Sequence, residues 1–329
     1  MESSASGLKM PSDEGEEKIV VFGLDDTEEN WYMQTYNPDC ENGEILGQMK
    51  RGFRTAFVAL KESVFAIGGR VKGEFCTTHV EEFNFKERHW KPRAALLAGR
   101  DNHVAVALKI AEQDAILVCG GWNKKDEELR SCELFLPQEN RWHRLPEMRE
   151  RRECPAAAAL PDGRAFVLGG HDGVVSIASV EYCHLRPDWQ ETAAQNAKFW
   201  KPVASMLTPR SYLGAVEFKG KIIVVGGSDD HQRLKSVEMF TPPTDDQGLG
   251  QWTRIADMHN PRCPLSLVVY KNKLIPIKLG EFSHVYMEEL GPEETTNGQD
   301  ADDLSTWKWT HNCHLTRIYY PVGAICVKF

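Results

Sequence analysis

The hexapeptide Ile222-Ile223-Val224-Val225-Gly226-Gly227 is a β-branched run that stops at a glycine pair. Branched side chains in succession favour a buried strand, and a glycine pair marks a sharp turn reached through positive φ or close backbone approach. The run recurs as Val64-Phe65-Ala66-Ile67-Gly68-Gly69, Ile116-Leu117-Val118-Cys119-Gly120-Gly121 and Ala165-Phe166-Val167-Leu168-Gly169-Gly170. Two weaker copies flank these: Ile19-Val20-Val21-Phe22-Gly23-Leu24 keeps one glycine, and Leu274-Ile275-Pro276-Ile277-Lys278-Leu279 keeps neither. The first-glycine positions fall at 23, 68, 120, 169, 226 and 278, in steps of 45 to 57 residues. Six units of that length predict one domain of stacked repeats, with no internal boundary in spite of 329 residues.

The fifth unit displays the repeat most fully. Arg210 opens an apolar strand over Ser211 to Val216, which turns at Lys219-Gly220 into the glycine-pair strand. A polar loop from Ser228 to Lys235 leads to Ser236-Val237-Glu238-Met239-Phe240, and Trp252 follows on a fourth strand. Four short antiparallel strands form a small twisted sheet that can bury its faces only against neighbouring copies, which is a propeller blade. The third-strand acid and aromatic recur as Glu81 with Phe83, Glu133 with Phe135, and Glu181 with Tyr182. The tryptophan recurs as Trp90 and Trp142, as Trp189 or Trp200, and as Trp307 or Trp309. The first unit has Tyr36-Asn37-Pro38 in register without a tryptophan. The opening arginine recurs as Arg100, Arg152, Arg262 and Arg317, with Arg51 or Arg54 in the second unit. The polar insertions Arg186 to Lys198, Thr241 to Gln251 and Gly291 to Asp302 read as surface loops.

The two ends complement each other. Tyr319 to Val327 is a first-strand pattern with no glycine-pair strand after it, and Ile19 to Gly23 is a glycine-type strand with no first strand before it. The C-terminal strand is therefore expected to complete the N-terminal blade and close the ring, which removes exposed sheet edges.

This pattern resembles the kelch repeat over residues 18–329, and is most similar to the six-bladed C-terminal propeller of the Kelch-like proteins. In that class BTB and BACK domains precede the propeller; here they are not found, so a cullin contact would be indirect, through such domains supplied elsewhere. The resemblance implies an all-β, six-bladed kelch β-propeller with four antiparallel strands per blade. It also implies a non-catalytic interaction scaffold that recognises substrates for a cullin-type ubiquitin ligase or links to actin and the cytoskeleton.

Bulk properties narrow the classes. Residues 1–17 are Ser, Gly and acid rich, without the apolar core of a signal peptide, and are expected to form a disordered tail. No apolar run is long enough to cross a bilayer. Nine scattered cysteines without a C-x-x-C pair read as reduced thiols of a cytoplasmic protein. A net charge of −9 argues against a nucleic-acid groove.

Gly68, Gly69, Gly120, Gly121, Gly169, Gly170, Gly226 and Gly227 read as structural turn glycines rather than a phosphate cradle, since no helix follows them. In an antiparallel hairpin the arginines and the glycine pairs lie at the same end of each blade, so they ring one face. Two readings of that ring stand: buried framework pairing with the repeated glutamates, or a mouth for acidic ligands. In Kelch-like proteins this is the face on which partner peptides dock. Carried over by motif position, the resemblance names Arg100, Asn102, Arg152, Arg210, Tyr212, Arg262 and Arg317, with loop residues Trp122, His171, Asp172, Asp229 and His231. The expected partner is a protein offering an acidic peptide segment, with no cofactor.

Catalytic constellations are sparse. His311-Asn312-Cys313-His314 groups metal-type ligands, but i and i+3 on an extended chain point to opposite faces, so no metal site is expected. The alternative is a kelch-propeller enzyme acting on a sugar in the central mouth, of mutarotase or oxidase type. It would require Arg, an acid and His converging in the channel. A structural bundling module would need two partner surfaces.

Overall fold

The computed structural model describes residues 16–25, 27, 30–37, 43–50, 52–71, 73–125, 127–195, 198–244, 248–279, 285–292, 303–315 and 320–328. Six four-stranded antiparallel sheets make up the fold. The first blade contains β1 (Glu17–Leu24), β2 (Trp31–Tyr36) and β3 (Ile45–Met49). The second follows as β4 (Ala56–Leu60), β5 (Ser63–Ile67), β6 (Val80–Asn84) and β7 (His89–Pro92). The third is β8 (Val104–Ile110), β9 (Gln113–Cys119), β10 (Cys132–Leu136) and β11 (Arg141–Leu145). The fourth is β12 (Ala156–Ala159), β13 (Arg164–Leu168), β14 (Val180–His184) and β15 (Lys201–Val203), with helix α1 (Trp189–Ala194) before its last strand. The fifth comprises β16 (Gly214–Phe218), β17 (Lys221–Val225), β18 (Val237–Thr241) and β19 (Gln251–Ile255). The sixth comprises β20 (Leu265–Tyr270), β21 (Lys273–Lys278), β22 (Val285–Gly291) and β23 (Lys308–Leu315).

The last strand, β24 (Tyr320–Lys328), pairs antiparallel with β1 and supplies the first blade's innermost strand. The six inner strands β4, β8, β12, β16, β20 and β24 contact one another in a closed cycle, so the ring closes as its two ends required. Strand β1 starts at Glu17, inside the stretch assigned to the tail, and residues 1–15 lie outside those described.

Six apolar clusters fill the six seams between blades. The glycine-pair strands read as unbroken apolar runs because a neighbouring blade covers each face: Ile222 to Val225 are all fully buried. Fourth-strand tryptophans tie the seams with a polar handle as well as area. The indole Nε1 of Trp142, Trp200, Trp252 and Trp309 donates to the carbonyls of Ala94, Pro146, Ala204 and Ala256 at 2.7–2.9 Å, each at the end of the preceding blade. Trp90 does the same toward Gln48 at 3.1 Å. These bonds choose Trp200 and Trp309 for the tryptophan slots. Trp189 lies in helix α1, where the insertion at 186–198 forms structure and buries the indole in the seam between the third and fourth blades.

All eight paired glycines have φ between +59° and +99°. Each pair lets the chain leave its own ladder and bond to the next blade: the N–H of Gly69, Gly121, Gly170 and Gly227 donates to Arg100, Arg152, Arg210 and Arg262 carbonyls at 2.8–2.9 Å. In the sixth blade, where Lys278-Leu279 replaces the pair, Leu279 instead donates to Pro264 of its own blade. At Gly226 (φ +59°) a Cβ would lie 2.6 Å from Leu265 Cδ2 and 2.7 Å from the Arg262 carbonyl. Gly226→Val combines left-handed strain with that clash, and should lower stability by about 2 kcal/mol or more. A thermal melt unchanged from the parent chain would contradict this account of the turn.

Candidate functional site

First strands begin, and second strands end, on one face of the ring, which also carries the loops joining strands two to three and one blade to the next. The repeated arginines lie just beneath it. Arg100, Arg152, Arg210 and Arg262 are 0–3% exposed. Nη1 of Arg100, Arg152 and Arg210 donates to the first glycine carbonyl of its own blade, at Gly120, Gly169 and Gly226, at 2.8–2.9 Å. The same nitrogen reaches the carbonyls of Ser131, Ser179 and Ser236, and Nη2 donates to their hydroxyls. Nη2 also closes an ion pair with third-strand Glu133 (2.7 Å), Glu181 (3.0 Å) and Glu238. Arg262 pairs with Glu288 at 2.9 Å. Each carboxylate in turn accepts a backbone N–H of the preceding interblade loop, from Leu97, Arg149, Leu207 and His259.

Their burial and ion pairs fit the framework reading of these four arginines. Buried charges persist where they are paired and hydrogen-bonded, and the terminal nitrogens of Arg100, Arg152 and Arg210 are engaged by their own blades. Arg317 lies outside the described residues.

Two residues beyond Arg100, Arg152 and Arg210 the chain enters the left-handed region, at Asn102, Cys154 and Tyr212 with φ of 50°, 50° and 55°. Arg54, at φ 53°, occupies the same slot of the second blade, so the framework position there belongs to Gly52, and Arg51 lies outside the described residues. These residues follow one another around the mouth: Cys154 N–H donates to Asn102 (2.8 Å) and Tyr212 N–H to Cys154 (2.9 Å). Asn102 Nδ2 donates to Glu153 at 2.5 Å. Tyr212 is 39% exposed, and its neighbour Cys154 together with burial keeps its phenol protonated.

The residue after each glycine pair forms a second register: Arg70, Trp122, His171 and Ser228. Each N–H donates to the carbonyl following the arginine position, at Phe53, Asp101, Glu153 and Ser211, over 2.8–2.9 Å. One residue further on, Asn123, Asp172 and Asp229 accept backbone N–H groups of their own loops. These bonds hold Asp172 below the usual aspartate range; at Asp229 burial opposes them and they prevail. Asp172 and Asp229 thus act as loop caps. His171 is half-buried, its Nδ1 accepting the Gly173 N–H at 3.1 Å, whereas His231 is exposed at its loop tip.

The sequence reading missed Arg70 and Phe75, and it offered Arg54 only as a repeat-arginine candidate. Arg70 had a usable signal, since it follows Gly68-Gly69 as Trp122 follows Gly120-Gly121. Phe75 carries no repeat signal and is 61% exposed. Among the described residues, seven of the nine exposed large apolar side chains lie on this loop face: Phe53, Phe75, Leu97, Val174, Val175, Leu207 and Tyr212. Ile45 and Leu249 lie at the opposite ends of their blades.

The central channel holds a cavity of about 580 Å³ walled by small apolar residues of the six inner strands. His103 lies on its wall, buried beside the Arg100 charge, and burial first and that charge second lower its pKa to about 3. Glu217 also lines the wall, but among the described residues no arginine does. Among the described residues lining this cavity, the Arg, acid and His convergence that a sugar-converting mouth would require is not assembled. No cluster of three or more His, Cys, Asp or Glu residues suited to a metal occurs among the described residues.

Comparison with known proteins agrees with the geometry. The Kelch motif family matches residues 113–149 and 209–259. The F-box/kelch-repeat protein SKIP30 of Arabidopsis thaliana is 23% identical over 66% of this chain and 70% of its own length. Kelch-like protein 25 of Xenopus tropicalis is 23% identical over 72% of this chain but 38% of its own length. Kelch-like protein 41b of Danio rerio is 33% identical over 39% of this chain, 20% of its own. Among solved structures, that of YjhT superposes with a TM-score of 0.55 over 79% of each chain at 12% identity, a likeness of fold.

Removing one member of a buried, hydrogen-bonded ion pair strands the other. Arg210→Ala should lower unfolding free energy by about 3–5 kcal/mol, and Arg210→Met combined with Glu238→Leu should cost less than the sum of the single changes. Denaturant titrations of the parent chain, Arg210→Ala, Arg210→Met, Glu238→Leu and the double variant test this; additive costs would contradict it. For Glu288, burial pushes the carboxyl up, but Arg262, the His259 N–H and Asn260 pull it further down, to below the usual 4.5. A depressed carboxyl contributes stability that is complete above the unfolded pKa and lost as pH falls through the folded one. Glu288→Gln should therefore be less stable at neutral pH and should show a shallower loss of stability below about pH 4.5.

Proposed function

We propose that this kelch-repeat propeller is a non-catalytic scaffold that holds a protein partner on its loop face. One observation carries the reading: the arginine clasps of the third, fourth and fifth blades are engaged internally, while most of the exposed large apolar side chains among the described residues gather on that face. Exposed apolar side chains clustered on one side of a rigid ring mark an interaction surface. Satisfied charges below them fix loop geometry without competing for the ligand.

The resemblance to Kelch-like proteins, and the F-box/kelch and Kelch-like names of similar proteins, favour a substrate-recognition role in a cullin-type ubiquitin ligase. BTB and BACK domains, rather than the blades, would make the cullin contact. A cytoskeleton-linked adaptor is the second form of the same role, favoured by the likeness to Beta-scruin of Limulus polyphemus, 29% identical over 45% of this chain. No helix among the described residues is long and apolar enough to cross a membrane. The unpaired thiols of buried Cys76, Cys119, Cys132, Cys154 and Cys183 suit a reducing, cytoplasmic setting.

Affinity capture from cytosolic extract with three folded forms tests the face. The intact chain and Leu249→Asp, on the opposite face, should capture the same proteins, whereas Phe53→Ala with Tyr212→Ala should lose them. Loss on Leu249→Asp with retention by the loop-face double variant would overturn the assignment.

A further inference from the structure

Cys119 and Cys132 stand opposite each other at the end of β9 and the start of β10, at the base of the loop that joins those strands and carries Trp122. We propose that they form a redox-active dithiol, a modification site at which a hydroperoxide closes a cross-strand disulfide and staples the Trp122 loop at its base.

The repeat itself marks the pair. At the same place below the loop between second and third strands, the second, fourth and fifth blades pair Ile67 with Val80, Leu168 with Val180 and Val225 with Val237. Branched aliphatic pairs fill the seam there, and of these four blades the third alone places cysteine on both strands. One buried cysteine in place of an aliphatic residue acts as a small hydrophobe. Two that face each other across a ladder bring a second thiol within reach of the first.

The backbone geometry fits the bond. The Gly120 N–H donates to the Ser131 carbonyl at 3.2 Å, so 120 and 131 form a hydrogen-bonded pair and, by the antiparallel alternation, 119 and 132 a non-hydrogen-bonded one. Such pairs hold their Cα atoms about 4.5 Å apart, inside the roughly 4.4–6.8 Å that a disulfide spans. Both side chains point into the seam between the third and fourth blades, where both are fully buried and both thiols are free. Burial first, and then the neighbouring Cys132 thiol, push the Cys119 thiol well above its ordinary range. A neutral thiol is a slow nucleophile, so the pair is inert while the turn above it stays closed. Arg100 holds that turn closed, its Nη1 donating to the Gly120 and Ser131 carbonyls at 2.9 and 3.0 Å. Oxidation therefore runs through local opening of this turn, and reducing surroundings keep the dithiol.

With the turn open, one sulfur attacks a peroxide oxygen and the O–O bond breaks, which leaves a sulfenic acid and, from hydrogen peroxide, one water. The second sulfur then attacks the sulfenic sulfur and expels its oxygen as a second water. The two thiols give up two protons and two electrons, and the peroxide takes them. The new bond ties together the ends of segment 120–131, whose Gly121 and Trp122 N–H groups bond to the Arg152 and Asp101 carbonyls at 2.8 Å. Cys183 of β14 is buried in the same cluster and is the competing thiol, though its own ladder partner is Ala165.

The test treats the full chain, still folded, with hydrogen peroxide, removes the excess with catalase, blocks the remaining thiols with N-ethylmaleimide and maps the peptides without reduction. The chain should lose the mass of two hydrogens and yield a Cys119–Cys132 linked peptide, both reversed by dithiothreitol. Amide exchange across 120–131 should slow about tenfold or more in the oxidised form. Cys119→Val with Cys132→Val, the pair that the fifth blade carries, should fold and form no such link, and Cys183→Ala should form it as the parent does. A link from either residue to Cys183, sulfinic acid without a link, no loss of mass, or a link that appears only after unfolding would overturn the site. A Cys119–Cys132 link that leaves amide exchange across 120–131 unchanged would overturn the staple.

Discussion

The structure depends on a buried guanidinium that serves two blades at once. In the third, fourth and fifth blades the arginine side chain joins the glycine-pair strand of its own blade to the third-strand glutamate. Its main-chain carbonyl meanwhile accepts the second glycine N–H of the preceding blade. Desolvating both charges is costly, so the pair is a weak source of net stability; what it imposes is geometry, because a misplaced strand would leave a buried ion unpaired. The glycine pair is the matching constraint. Only a residue tolerant of positive φ and close approach lets the chain leave one ladder and reach the next carbonyl, as the 2.4 Å from a Gly120 Cβ to the Arg152 oxygen shows.

Departures from this scheme locate where the ring differs. In the sixth blade Lys278 and Leu279 continue along their own hairpin. The ring closes within the first blade, where β24 pairs with β1 along its length. In the second blade Gly52 stands at the arginine position, and Arg54 and Arg70 approach the seam from the loop side to grip Asp101 of the next blade. The loss of an internal clasp and the gain of a clasp on the loop side are thus two sides of one substitution pattern.

Most of the architecture is legible in the sequence because it is written in periodic, local chemistry: branched runs ending in glycine, a glutamate and an aromatic on the third strand, a tryptophan on the fourth. Ring closure is legible because the end fragments complement each other, and β24 does pair with β1. Choosing Trp200 over Trp189 and Trp309 over Trp307 was not, since an insertion of variable length breaks the count, and only the carbonyl reached by the indole N–H decides it. For the arginines the face is legible, but the depth is not, and both readings stay open at the level of sequence. A repeated Arg and a repeated Glu specify a pair; whether the pair is under or above the loops depends on how far the serine and glycine carbonyls come to meet it. Phe75 and Arg54 owe their roles to loop packing across a seam, which no single repeat records.

The same frame explains how one face can be rigid in shape and open in chemistry. Arg70, Trp122, His171 and Ser228 stand at one backbone position in four successive blades, each held by the same N–H to carbonyl bond. Their side chains are not needed to make that bond, so they are free to differ, and they do: a cation, an indole, an imidazole and a hydroxyl. Framework residues such as Arg152 cannot take part in that variation, because any change leaves Glu181 buried without its partner. Variation in chemistry is thereby confined to positions whose main chain is fixed by that bond and whose side chain takes no part in it, and at one seam these bring a cation beside an indole and Phe75.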